Sequence, residues 1–229
     1  MSVFLNKFSF RKWLFYPLML ALCATLCLFS ACKKTVDYFD YVSELRNNIF
    51  LCSTDDFSLR IYATQKESPY CSDGIPCEIS PRAEIYLIAP SGVENYQISF
   101  TLDGISYGGE LSFDNVKTEY YYFCSLDISE LKQIECTLTW GKESVVLCAR
   151  SVLDENTLSA QTVLQNLLSS EQALFESMTD EYGFAGEIYV RLIYEDAPYY
   201  YIGVMDRNGG TNAFLASAQT GKILARRQS

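Results

Sequence analysis

Apolar and polar positions along the chain follow three different rhythms, and each predicts a different kind of element. From Phe57 the period is two: Phe57, Leu59, Ile61 and Ala63 alternate with Ser58, Arg60, Tyr62 and Thr64. Tyr96, Ile98, Phe100 and Leu102 alternate in the same way with Gln97, Ser99 and Thr101. Such alternation sends every second side chain to one face, which is the pattern of a half-buried strand. Further strand-like runs cover 83–89, 110–113, 120–126, 134–140 and 144–150. Turn signals punctuate them at Pro90-Ser91-Gly92, Asp103-Gly104, Gly108-Gly109 and Gly141-Lys142. Many short strands so closely spaced predict an antiparallel β-sandwich over 51–153.

The second rhythm begins after Arg150. Ala160, Val163, Leu164, Leu167 and Leu168 recur at helical spacing. Ser169-Ser170-Glu171-Gln172 then reads as a capping box that restarts a helix, with Leu174, Phe175 and Met178 inward. Period two returns with Ile188, Val190, Leu192 and Tyr194 against Glu187, Tyr189 and Arg191, followed by runs at 199–205, 213–217 and 222–226. The expected fold is therefore α+β: the N-terminal antiparallel β-sandwich, a switch near Leu153–Asn156, and a small helix-plus-antiparallel-sheet unit over 154–229.

The third rhythm is the N-terminal one. Lys7, Arg11 and Lys12 precede an apolar run from Trp13 to Phe29, and no acid occurs before Asp37. A basic start, an apolar core and small residues at Ser30-Ala31 make an export signal over 1–31. The ending Leu28-Phe29-Ser30-Ala31-Cys32 resembles the lipobox of bacterial lipoproteins, with Phe29 where Leu is usual. That resemblance implies cleavage before Cys32 and acylation of its thiol, leaving 32–50 as a tether or first helix. Two acyl chains hold a protein durably where one does not. An uncleaved anchor or simple secretion would also leave the remainder outside the cytoplasmic membrane. Without the signal, 15 Lys and Arg stand against 28 Asp and Glu, a net charge of −13. A surface so acidic repels phosphate backbones and argues against a nucleic-acid partner.

Six cysteines follow Cys32, an even number that permits disulfides in an exported chain. Cys71 and Cys77 bracket the turn-rich stretch 72–76. Cys136 and Cys148 face each other if Gly141-Lys142-Glu143 is a three-residue hairpin loop. Free thiols are the alternative. No CxxC is present and there is no histidine in the chain, so a metal site is not expected.

The run Ala216-Ser217-Ala218-Gln219-Thr220-Gly221-Lys222-Ile223-Leu224, preceded by Tyr201-Ile202-Gly203-Val204-Met205-Asp206-Arg207-Asn208-Gly209, resembles the last hairpin of a PepSY domain. Ser217 stands where that family usually has Asp. The resemblance covers about a third of the chain and implies a binding or regulatory module rather than a catalyst.

The missing histidine also removes Ser-His and Cys-His nucleophile activation. No Gly-rich nucleotide loop occurs, and no cofactor or enzymatic activity is expected. Two aromatic clusters remain, 120–123 and 199–201. Tyr120, Tyr122, Tyr199 and Tyr201 are the candidate binding aromatics, with core or cross-strand packing as the alternative. The expected function is a lipid-tethered, non-catalytic module outside the cell membrane that binds an envelope protein or peptide. The competing readings are a glycan- or wall-binding accessory module using the tyrosines, and a histidine-free hydrolase built on paired carboxylates.

Overall fold

The computed structural model of the chain describes residues 36–228 apart from 70, 72, 74, 91, 93 and 94. The export signal and Cys32 lie outside the described residues. A short 3-10 turn at Tyr38–Tyr41 leads into β1 (Val42–Ser53), β2 (Ser58–Glu67), β3 (Ile79–Ile88), β4 (Gln97–Leu102) and β5 (Ile105–Glu110). Then come β6 (Ser112–Asp114), β7 (Glu119–Cys124), β8 (Gln133–Trp140) and β9 (Glu143–Ser151). Two helices follow, α1 (Ala160–Ser170) and α2 (Gln172–Ser177), and a two-residue pair, β10 (Thr179–Asp180) with β11 (Gly183–Phe184). The chain ends with β12 (Gly186–Tyr194), β13 (Pro198–Asp206), β14 (Thr211–Ser217) and β15 (Ile223–Gln228).

Hydrogen bonds join thirteen of these strands into one sheet. Nine of them curl into a nearly closed antiparallel barrel in the order β6-β7-β3-β2-β1-β9-β8-β4-β5. The seam is made by one stretch of chain. β5 pairs with β4, Leu111 donates its N–H to the Tyr96 carbonyl at 2.8 Å, and β6 then pairs with β7. The Tyr122 hydroxyl reinforces the seam by donating to the Gly108 carbonyl at 3.0 Å. Inside lies the apolar set that the alternation predicts: Leu59, Ile61 and Ala63 from β2, Ala83, Ile85 and Leu87 from β3, and Ile98 and Phe100 from β4.

The α+β fold of a β-sandwich followed by a small helix-plus-sheet unit is overturned. The protein is mostly β, and β12–β15 extend the barrel's own sheet, with α1 and α2 as short additions. The joint is β1. Its first half, Val42–Arg46, pairs in parallel with β12, and its second half, at Phe50–Leu51, pairs with β9. A stretch that reads as tether or helix becomes the central strand, paired along one edge with β2 and along the other with β12 and then β9. Val42, Ser43, Glu44 and Leu45 are all buried in succession, which erases the period of two.

Asn48 fixes the point where β1 changes partner. It sits at a bulge in the β1–β2 ladder, and its amide donates to the Ser129 and Leu131 carbonyls at 2.8 and 3.2 Å. Its side-chain oxygen accepts from Ser151 Oγ at 2.7 Å and from the Ile49 N–H at 2.8 Å. Helix α1 starts at Ser159, whose hydroxyl caps the Thr162 N–H. It buries Ala160, Val163, Leu164 and Leu167 on the side of the sheet that carries Ile188, Val190, Leu192 and Ile202. Among the described residues no helix is long and apolar enough to cross a membrane.

Candidate functional site

Strand register decides which residues share the other side of the sheet, over which no described helix lies. Paired residues point the same way. Phe123 opposes Glu84 and Tyr121 opposes Tyr86. Tyr86 opposes Arg60, Glu84 opposes Tyr62, and Arg82 opposes Thr64. Lys66 opposes Glu44, Glu44 opposes Tyr189, and Arg46 opposes Arg191. Arg191 opposes Tyr201. One face therefore runs without interruption across β7, β3, β2, β1, β12 and β13, and most of its side chains are aromatic or charged.

Within this face the groups hold one another. Tyr62 and Tyr86 meet with centroids 5.4 Å apart, and the Arg46 guanidinium lies 4.0 Å over Tyr62. Arg82 lies 4.8 Å over Phe123 and Arg191 4.8 Å over Tyr189. Tyr189 stacks on Tyr201 at 6.1 Å. Three ion pairs interleave with the rings. Arg191 binds Glu44 through two parallel hydrogen bonds of 2.8 and 2.6 Å. Arg60 reaches Glu119 at 2.5 Å, and Lys66 pairs with Glu84. Gly203 makes room for the ring of Tyr189, because a Cβ there would run into it. Burial, with Glu84 beside it, pushes the Tyr86 hydroxyl up to about 12. Burial, then Tyr201, also raises Tyr189. Both phenols stay neutral donors in any physiological medium.

Tyr120 and Tyr122, proposed from sequence as binding aromatics, point the other way. Tyr120 packs on Tyr96 at 4.9 Å and on Phe113 at 4.8 Å. Tyr122 closes the seam, and a Cβ on Gly109 would stand 2.9 Å from its ring. Their neighbours Tyr121 and Phe123 are the exposed pair of that run, at 38% and 54%. Tyr199 and Tyr201 both lie on the open face: Tyr199, opposite Ile193, donates to Asp196 Oδ1 at 3.2 Å near the end of β13, and Tyr201 stacks on Tyr189. Tyr62, Tyr86 and Tyr189 escaped sequence reading because they fall on the polar side of the alternation. The available signal was tyrosine standing beside arginine at those polar positions, as in Arg60-Ile61-Tyr62 and Tyr189-Val190-Arg191.

Among the described residues all six cysteines are thiols. The expected Cys136–Cys148 bridge fails for a reason of register. Trp140 pairs with Glu143, so the hairpin turn is the two residues Gly141-Lys142, with Gly141 at φ 56°. One residue fewer in the loop slides the ladder by one place and sets Cys136 opposite Leu147, and Cys148 opposite Glu135. Cys136 is then buried in the core, where burial pushes its thiol up to about 12, and Cys148 faces the other side. Cys71 and Cys77 are both exposed, unbridged thiols on the connection from β2 to β3.

A concavity of about 350 Å³ opens where β1 meets the start of α1, lined by Leu45, Asn47, Lys132, Asp154, Ser159 and Tyr200 among others. Asp154 is held below the usual carboxylate range by hydrogen bonds from the Thr157 hydroxyl and the Asn156 N–H. Those bonds tie it into its own turn. Among the described residues no group of three or more side chains has the makings of a metal site. No protein-family model, curated protein or solved structure matches this chain.

Proposed function

We propose that this protein is a lipid-tethered module on the outer side of the cell membrane that binds a ligand across its open sheet face and performs no chemistry on it. The uninterrupted aromatic and charged surface from β7 to β13 carries the reading. Exposed tyrosine offers contact area at little entropic cost, as in recognition surfaces generally. Three carboxylates on the face, Glu44, Glu84 and Glu119, are each engaged by a cation, and the chain lacks histidine, so the arrangement suits recognition rather than proton transfer. The tether reading rests on the sequence around Cys32, and the long acidic remainder fits a protein displayed in water.

Two measurements test the two halves of this proposal. In cell fractionation the full chain sediments with membranes and carries acyl label, and Cys32→Ser loses both the label and the cleavage before residue 32; continued labelling and cleavage in that variant would refute the tether. The purified mature chain co-sediments with isolated envelope material. The double substitution Tyr121→Ala/Phe123→Ala weakens that retention about tenfold while circular dichroism is unchanged. Undiminished retention by the double variant would remove the open face from the function.

A further inference from the structure

The charge on the open face is layered, and the layering points to the ligand. In each ion pair the carboxylate is sunk and the cation lies above it. Side-chain exposure is 7% for Glu119 against 39% for Arg60, 9% for Glu84 against 21% for Lys66, and 7% for Glu44 against 32% for Arg191. The other acids on this side are also withdrawn. Glu187 is fully buried, and Asp114 turns its carboxylate into the Val116 and Lys117 amides of its own turn. Lys117 stands at the rim with its side chain 60% exposed. Arg46 and Arg82 add two guanidiniums held over rings. A chain of net charge −10 thus shows solvent one face whose outer layer is cationic and aromatic.

We infer, on the reading that this face is the binding surface, that its ligand is an acidic polysaccharide. Guanidinium and ammonium groups fixed by buried carboxylates are pre-oriented donors for acid groups. Rings carried on successive strands about 5 Å apart supply flat apolar surfaces for sugar rings to stack on. The main chain here is occupied by the ladders on both sides of β1, β2, β3 and β12. An added peptide strand would find no free edge on these strands, so a ligand lying over them is read by side chains alone, which favours a glycan over an extended acidic peptide. Elsewhere the acidic surface repels a polyanion, which confines it to this face.

The test uses the mature chain with three polymers: polygalacturonate, neutral dextran and poly-glutamate. Polygalacturonate binds, dextran binds at least tenfold more weakly, and poly-glutamate does the same despite its charge. Raising salt from 50 to 200 mM weakens the polygalacturonate complex. The variant Arg82→Gln/Lys117→Gln, which leaves every buried carboxylate its main cation, lowers affinity about tenfold with an unchanged melting temperature; Tyr121→Ala acts in the same direction. Equal or tighter binding of poly-glutamate overturns the inference, as does equal binding of dextran or indifference to the double variant. Failure of all three polymers while envelope retention still depends on Tyr121 and Phe123 sinks the polysaccharide alone. Loss of that dependence as well sinks the binding face with it.

Discussion

Tyr200 shows how much one phenol can do when its ring and its hydroxyl have different tasks. Its ring is buried on the helix side of the sheet, and its hydroxyl donates to the Leu158 carbonyl at 3.0 Å, just before α1 begins. Burial pushes this hydroxyl up to about 12. The folded state therefore keeps the proton at a pH where the unfolded chain has lost it, from the ordinary value near 10 upward. Below pH 10 both states are protonated and stability is intact; between 10 and about 12 it falls as the pH rises. The loss is roughly 1.4 kcal/mol per pH unit over that window, with Tyr86 pulling the same way. Urea midpoints measured at pH 8, 10 and 11.5 would show the decline. Tyr200→Phe flattens part of it, after an initial loss of about 1 kcal/mol for the missing hydrogen bond. A decline of the same slope in that variant would assign the alkaline sensitivity elsewhere.

Among the elements, those whose two faces meet different surroundings were legible in the sequence, and those with like surroundings were not. β2 and β4 declare themselves by strict alternation, since one side meets the core and the other meets water. The stripe Ala160, Val163, Leu164 and Leu167 marks α1 for the same reason. β1 is silent because Val42 through Leu45 are buried whatever their polarity, and because its partner β12 lies 144 residues onward, from Ser43 to Glu187. No local pattern encodes a pairing of that span. The β8–β9 hairpin was visible, but not the length of its turn, and a slip of one residue decided which way Cys136 and Cys148 point. The same parity question governed the candidate site. Within 120–123 the sequence shows four aromatics in a row, so it cannot say which two face the core. The seam between β5, β6 and β7 assigns Tyr120 and Tyr122 inward, leaving Tyr121 and Phe123 outside.

At the scale of the molecule, the β1–β12 joint makes the open face possible and also makes the folded part mechanically one. Without that joint the row of rings and cations would end at Arg46, and Glu44 would have no Arg191 above it. A buried carboxylate stripped of its cation costs several kcal/mol, so the face and the joint stabilise each other. Asn48 adds four hydrogen bonds at the place where β1 passes from β12 to β9. Coupling of this kind predicts that the barrel and the β12–β15 extension unfold together. The mature chain has a single tryptophan, Trp140, placed in the barrel between Phe57 and Tyr96. Its fluorescence reports the barrel, while hydrogen exchange at the β13 and β14 amides reports the extension. In rising urea the two signals share one midpoint and one slope, and Asn48→Ala moves both midpoints down by the same amount. Two separated midpoints, or a shift in the fluorescence alone, would mean that the parallel pairing over Val42–Arg46 transmits nothing and that the face is assembled from independently stable halves.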